Sequence, residues 1–126
     1  MSSRKVIFVD DSPTMRRIIK NSLIKIGFTD LISAENGQDA LEKMLGNDID
    51  IIITDWNMPE MNGEKFVREL RNDPKYMNKP ILMVTTRGMK KDVMKAVDIG
   101  VDGYVVKPFT PEVLKKKIDE IIRKKQ

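Results

Sequence analysis

Five short apolar runs, each followed by a stretch of helical periodicity, predict an α/β domain with one parallel sheet covered on both sides. Two further observations point the same way. The central run, Ile51-Ile52-Ile53-Thr54, is apolar at consecutive positions, as expected of a strand buried on both faces. The segments between runs are long enough to hold the right-handed crossover helix that parallel strands need.

Lys5-Val6-Ile7-Phe8-Val9 reads as the first strand, stopped by Asp10-Asp11. Ser12-Pro13 then supplies a helix cap followed by proline at the first helical position. Met15, Ile18, Ile19, Ser22, Leu23 and Ile26 recur at helical spacing, with Arg16, Arg17, Lys20 and Lys25 opposite, and Gly27 closes the helix. Leu31-Ile32-Ser33-Ala34 is a weaker strand and Glu35-Asn36-Gly37 a turn. Ala40, Leu41, Met44 and Leu45 line a second helix that ends before Gly46. After the Ile51 strand a loop runs to Gly63. A third helix buries Phe66, Val67 and Leu70 and is stopped by Asp73-Pro74. Residues 80–85 form the fourth strand, and Val93, Met94 and Val97 mark a fourth helix closed by Gly100. Gly103 to Lys107 is the fifth strand. Thr110-Pro111 repeats the cap-then-proline device, and Leu114, Ile118, Ile121 and Ile122 form the buried stripe of the last helix. The pattern does not specify strand order; 2-1-3-4-5 is adopted from the flavodoxin-like doubly wound (βα)5 class.

Composition bounds the chemistry. At 126 residues the chain is expected to be a single domain over 1–126, with a core that needs no staples. Hydrophobic residues at 40% and charged residues at 33% favour a soluble globular protein. No apolar run approaches the roughly 20 residues that span a bilayer, and Met1-Ser2-Ser3-Arg4-Lys5 lacks a signal-peptide core, so a cytoplasmic, non-membrane location is expected. With no cysteine there is neither disulfide nor thiolate metal site. With no histidine the usual general base and soft-metal ligand are missing. The formal net charge is +4, but the basic residues share helical stretches with acids, as in Glu112 to Lys125. This reads as solvated helix faces rather than a nucleic-acid surface.

Four of the five strands end on polar side chains: Asp10 and Asp11, Asp55, Thr85, and Lys107. In a parallel sheet these ends share one edge, the edge where open α/β sheets bind ligands. Singly, each residue has a plainer role as helix cap, turn residue or solvent-reaching lysine. Equivalent placement on successive strands argues for one site. Two carboxylates about 4 Å apart repel by roughly 4 kcal/mol at an effective dielectric near 20, and a divalent cation relieves that repulsion. Hard oxygen donors favour Mg²⁺, with Asp11 and Asp55 as direct ligands and Asp10 acting through water. A tetrahedral dianion held between Mg²⁺, Lys107 and the Thr85 hydroxyl implies phosphoryl transfer. No Gly-rich phosphate loop is present, and without His or Cys the natural nucleophile is Asp55, forming an acyl phosphate.

The acidic pair Asp10-Asp11, Asp55 with Met58-Pro59 and Gly63, Thr85, and Lys107-Pro108 together resemble the receiver domain of two-component response regulators, over essentially the whole chain. Residues 12–21, 55–59 and 103–110 most resemble the chemotaxis members of that family. The resemblance implies that Asp55 takes its phosphoryl group from a phosphohistidine of a sensor histidine kinase. It implies Mg²⁺ held by Asp11, Asp55 and the Asn57 carbonyl, with Asp10 through water. Lys107 would grip the phosphoryl oxygens before a cis bond to Pro108. Thr85 would move toward the phosphoryl group and let Tyr104 turn inward from an exposed rotamer, whereas the residues alone favour Tyr104 as a partly buried strand residue. This would rearrange a face carrying Lys90, Tyr104, Phe109 and Lys117 that binds the flagellar motor switch. A monomer with no output domain and no nucleic-acid partner is expected, together with a possible phosphatase.

Two positions depart from the family pattern. Thr86 is bulkier than the usual small residue, and Arg87 replaces a frequent acid; both should border the path of the attacking water. Thr86→Ala is therefore expected to change the lifetime of the acyl phosphate. Trp56, the only tryptophan, neighbours Asp55, so its fluorescence is expected to report on the site; the plainer reading is an exposed loop aromatic with no role. Met15, Met44, Met83 and Met94 read as core filler, and Met58, Met61 and Met89 as loop residues without a further role. A relay intermediary passing its phosphate to another histidine is the nearest alternative. An aspartate-nucleophile phosphohydrolase is less favoured, because Asn57 stands where such enzymes need a second acid. A pure binding module would not need Asp10, Asp11, Asp55, Thr85 and Lys107 together.

Overall fold

The computed structural model describes residues 2–125. In chain order they form β1 (Ser2–Val9), α1 (Pro13–Lys25), β2 (Phe28–Ala34), α2 (Gly37–Met44), β3 (Ile51–Thr54), α3 (Gly63–Arg71), β4 (Ile81–Thr85), α4 (Lys90–Ile99), β5 (Gly103–Val106) and α5 (Pro111–Lys124). The five strands make one parallel sheet in the order β2-β1-β3-β4-β5, the order adopted above.

Side-chain alternation divides the core into two layers. Ile7, Val9, Ile52 and Met83 face α2, α3 and α4, where Ala40, Phe66, Leu70 and Ala96 meet them. Val6, Phe8, Ile53 and Val84 face α1 and α5, against Ile19, Leu23, Leu114 and Ile118. All four residues of β3 are buried, which is why its sequence shows no alternation.

Helix starts follow from local chemistry. Ser12, Asn36, Asn62 and Thr110 each accept a hydrogen bond from a backbone N–H in the first turn of α1, α2, α3 and α5. Asn36 and Gly37, read above as a turn, are therefore the cap and first residue of α2. The cap of α4, Met89, has no side-chain oxygen to offer. At its other end Gly100 adopts φ 111°, which suits a residue without a Cβ.

Three expectations fail for tertiary reasons. β1 and β2 begin earlier than their apolar runs, because pairing of Ser2 with Phe28 and Lys5 with Asp30 carries the ladder past the core. Leu45 lies at the end of α2, 77% exposed. On α4 the buried residues are Asp92, Ala96 and Ile99, while Met94 and Val97 are 57% and 59% exposed. The small Ala96 lets that helix approach the sheet, and the phase this imposes turns the larger apolar residues outward.

A staple at the opposite edge from the polar strand ends has no periodic signature. Arg71, at the end of α3, donates to the Gly100 carbonyl from Nε at 2.9 Å and Nη2 at 2.8 Å, and to Asp102 Oδ2 at 2.9 Å. Its Nη1 reaches the Tyr76, Met77 and Lys79 carbonyls at 3.1, 3.2 and 2.8 Å. Burial lowers the guanidinium's affinity for its proton, and the Asp102 carboxylate opposes that. Asp102 Oδ2 also accepts from the Ile81 N–H, so one residue ties α3 and the following loop to the starts of β4 and β5.

Candidate metal and phosphoacceptor site

The polar strand ends meet at the carboxyl edge of the sheet. Asp10 is buried just beyond β1, where its Oδ1 accepts from the Ser12 N–H at 2.9 Å and its Oδ2 from Lys107 Nζ at 2.6 Å. Asp55 follows β3 directly. Its N–H donates to the Val9 carbonyl at 2.9 Å, its Oδ1 accepts from the Trp56 N–H at 2.6 Å, and its Oδ2 accepts from Lys107 Nζ at 3.1 Å. Lys107 leaves β5 with its N–H on the Thr85 carbonyl at 2.8 Å and a cis bond to Pro108, then reaches back over β4 and β3 to both aspartates. Its side chain is only 9% exposed, so it does not extend to solvent.

One oxygen from each of Asp10, Asp11 and Asp55 lies within 4.8 Å of the others. Lys107 pairs with two of these carboxylates, while that of Asp11 is exposed and, among the described residues, has no ionic or hydrogen-bonding partner. Three carboxylates against one ammonium leave a local excess of negative charge. Burial alone would lower the Lys107 pKa, but the hydrogen bond it donates to Asp10 and the charges of Asp55 and Asp10 outweigh it and hold it above the ordinary lysine value. The donor set fits Mg²⁺: all ligands are hard oxygens, and one is still unpaired.

Thr85 is fully buried at the end of β4 and accepts the Arg87 N–H at 3.3 Å. Thr86 is exposed. The Arg87 guanidinium, expected along a water path, lies 4.0 Å over the Trp56 ring and pairs with Asp92 Oδ1 at 3.0 Å. Its Nη1 stands 3.5 Å from Oδ1 of the exposed Asn57. Trp56 is thus a core residue, which rules out the plainer reading of an exposed loop aromatic: its ring packs in the α2/α3/α4 layer under Arg87.

Gly63 matters for close approach rather than for turning. Its N–H donates to the Trp56 carbonyl at 2.7 Å, and a Cβ there would stand 2.1 Å from the Asp55 carbonyl oxygen. Met61, expected to be an idle loop residue, is buried against Gly37 and accepts that residue's N–H through its carbonyl at 3.0 Å. The preceding Glu60 has φ 62°, uncommon for a residue with a Cβ, and the Met61 N–H closes a tight turn on the Pro59 carbonyl at 2.7 Å.

Residues expected on the switch face divide. Lys90 is exposed at the start of α4, and Lys117 on α5 lies 3.9 Å from Glu120. Tyr104 is not in an exposed rotamer: its ring packs against the α2/α3/α4 layer and its hydroxyl donates to the Arg87 carbonyl at 2.5 Å. Burial and the Asp92 carboxylate raise its pKa, with Arg87 opposing them. Phe109 is partly buried against the α1/α5 layer. Sequence reading missed the Arg87 contacts and the Gly63 close approach. The spacing of Arg87 after Thr85 and the single Trp after Asp55 were the available signals.

Among the described residues no helix is long and apolar enough to cross a membrane. Comparison with known proteins bears on the same residues. The profile of the response regulator receiver domain matches residues 6–119. The chain is 50% identical over 119 residues to a chemotaxis protein CheY homolog of Campylobacter jejuni, covering 94% of this chain and 92% of that protein. It is equally identical over 119 residues to chemotaxis protein CheY1 of Helicobacter pylori, covering 94% and 96%. The high-resolution structure of the chemotaxis response regulator CheY4 of Vibrio cholerae superposes with a TM-score of 0.87 at 36% identity, covering 95% of this chain and 99% of that one. With sheet order, site geometry and sequence in agreement, the chain belongs to the response regulator receiver domain family and is CheY-like within it.

Proposed function

We propose that this protein is a phosphorylated signalling switch in chemotaxis, with Asp55 accepting a phosphoryl group from the phosphohistidine of a sensor histidine kinase. The observation that carries this reading is the Lys107 ammonium bridging Asp10 and Asp55 while Asp11 stays unpaired beside them. Asp11, Asp55 and the Asn57 carbonyl would hold Mg²⁺, with Asp10 reaching it through water. When bound, that ion supplies charge neutralisation for the phosphoryl oxygens. In the transfer, an Asp55 carboxylate oxygen forms the new P–O bond as the P–N bond of the donor breaks, its electron pair returning to the imidazole nitrogen. The other oxygen stays in a hydrogen bond, from Trp56 N–H or Lys107. Lys107 keeps its proton and pairs with the incoming oxygens, and Thr85 supplies a hydroxyl donor.

Output is through protein contact. α4 and α5 both pack against β5, and each element of this face leaves large apolar side chains in solvent: Met94 and Val97 on α4, Val106 on β5, Val113 on α5. Lys90 and Lys117 lie on the same elements, and a flagellar motor switch protein is the partner assigned to them. The protein acts as a cytoplasmic monomer without nucleic acid, turning over only its own acyl phosphate. Asn57 offers no general acid two places after Asp55, which disfavours a phosphohydrolase.

Trp56 fluorescence tests the reading. Its emission is expected to change with Mg²⁺ and again with acetyl phosphate or a beryllofluoride mimic, and Asp55→Asn should lose the second response. Intact-mass spectra should show a Mg²⁺-dependent phosphate on the wild-type chain; a phosphate retained by Asp55→Asn would refute the assignment.

A further inference from the structure

Arg87 touches five residues around the site, on four elements of the fold. Its side chain covers Trp56 at 4.0 Å, meets Asn57 Oδ1 at 3.5 Å, and pairs with Asp92 Oδ1 at 3.0 Å. Its backbone N–H is on the Thr85 hydroxyl at 3.3 Å, and its carbonyl accepts the Tyr104 hydroxyl at 2.5 Å. One residue thus joins the turn after β3, the end of β4, the first turn of α4, and β5.

The plain alternative is a surface arginine resting on the nearest aromatic ring. Burial argues against it. The partners are a core tryptophan and a carboxylate only 9% exposed, whereas ordinary surface pairs are wet on both sides and contribute little. The position of the acid is also telling. α4 alone of the five helices begins without a side-chain cap, and Asp92 is the acid of its first turn. Anchoring a planar guanidinium at both Trp56 and Asp92 fixes the backbone between β4 and α4, and with it the carbonyl that receives Tyr104.

We propose that Arg87 is a positioning residue: clamped between Trp56 and Asp92, it holds the Tyr104 ring docked before any phosphoryl group is present. The inference deepens the signalling reading and rests on it for its meaning, because Trp56 and Asn57 directly follow the phosphoacceptor. A change at Asp55 then reaches β5 and α4 through the guanidinium as well as through Thr85. The output face is preset in the resting protein, and lifting Arg87 off Trp56 would release Tyr104 and the start of α4 together.

The test uses the full chain without Mg²⁺ or phosphoryl donor, so its outcome is separate from that of the phosphorylation experiment. The chain has two tyrosines, so fluorotyrosine labelling gives two ¹⁹F resonances, assigned with Tyr76→Phe. Tyr76 is buried with its hydroxyl on the Met44 carbonyl at 3.0 Å and serves as an internal control. Arg87→Ala is expected to lower the docked-to-free ratio of Tyr104 roughly tenfold, moving its resonance toward that of exposed fluorotyrosine and leaving Tyr76 in place. Asp92→Asn should move it the same way by less, since the stacking on Trp56 survives. Arg87→Lys, which keeps the charge but not the flat face, should fall between wild type and Arg87→Ala. An unmoved Tyr104 resonance in Arg87→Ala, with Trp56 emission altered, would overturn the proposal. So would equal movement of both tyrosines, which would report general loosening. If Arg87→Ala fails to fold, the graded Asp92→Asn and Arg87→Lys shifts decide the matter.

Discussion

Gly63→Ala should be strongly destabilising, although the same exchange at the first turn of most helices stabilises by about 0.5–1 kcal/mol. The new Cβ would stand 2.1 Å from the Asp55 carbonyl oxygen, 2.8 Å from Trp56 Cα and 3.0 Å from the Asp55 carbonyl carbon, all backbone atoms. Relief requires the chain to part by about 1 Å, and neither side is free to move. The Asp55 carbonyl accepts the Thr54 hydroxyl at 2.8 Å, and the Gly63 N–H sits 2.7 Å from the Trp56 carbonyl. Overpacking usually costs about 1–3 kcal/mol; against fixed backbone this close it falls at the upper end, about 2–3 kcal/mol, and the helix gain is offset by a spoiled hydrogen bond of about 1 kcal/mol, so the net loss is roughly 2–3 kcal/mol. For a chain of this size that lowers Tm by roughly 6–15 °C. The residue displaced is Asp55 itself, and an error of about 1 Å in a reacting group can cost on the order of 100-fold in rate. Thermal unfolding and the rate of acetyl phosphate labelling measure the two effects. A Tm within 2 °C of wild type, or better labelling, would refute the close-contact argument (threshold set by the roughly 6 °C lower bound).

Adjacent aspartates should respond with opposite signs in EDTA. Asp11→Ala removes an unpaired charge and should raise stability by about 1 kcal/mol, while Asp10→Ala, losing its Lys107 and Ser12 bonds, should lower it by about 1–3 kcal/mol; urea midpoints check both. Arg71→Ala should cost about 1–3 kcal/mol by leaving the Gly100, Tyr76, Met77 and Lys79 carbonyls without its guanidinium, while Asp102 keeps Lys125 and the Ile81 N–H, with amide exchange rising first at the start of β4. Glu64 provides a pH-dependent case. Burial would raise its pKa, but the hydrogen bonds from Arg68 and from Lys95 on α4 outweigh burial and hold it below its usual value. A depressed carboxylate stabilises the fold above its unfolded pKa and loses that contribution as pH falls through the folded one. The difference in urea midpoint between wild type and Glu64→Gln should therefore be constant above about pH 5 and vanish in more acid solution. A difference that persists at low pH would assign the effect to packing.

Local patterns carried the element list, because caps, prolines, glycines and hydrophobic periods act within a few residues. Ser12-Pro13 and Thr110-Pro111 start helices as read, and the unbroken apolar run of β3 reports its burial on both faces. The acidic and basic strand ends were also readable, since parallel strands put their carboxyl ends on one edge whatever their order. Where local chemistry was weak the reading slipped. α4, without a cap and apolar on more than one side, was assigned the wrong buried stripe.

What the sequence alone determined about this protein is therefore its fold class, its strand and helix sequence, and the group of polar residues gathered at one edge of the sheet. Packing decided the rest. Lys107 pairs with Asp10, 97 positions away in the chain, because the folded sheet brings β1 and β5 within reach of one side chain. Gly63 is needed because the backbone of Asp55 passes against it, and Trp56 is buried because Arg87 closes over it. Such contacts join segments remote in sequence, and no short-range propensity encodes the distance between them.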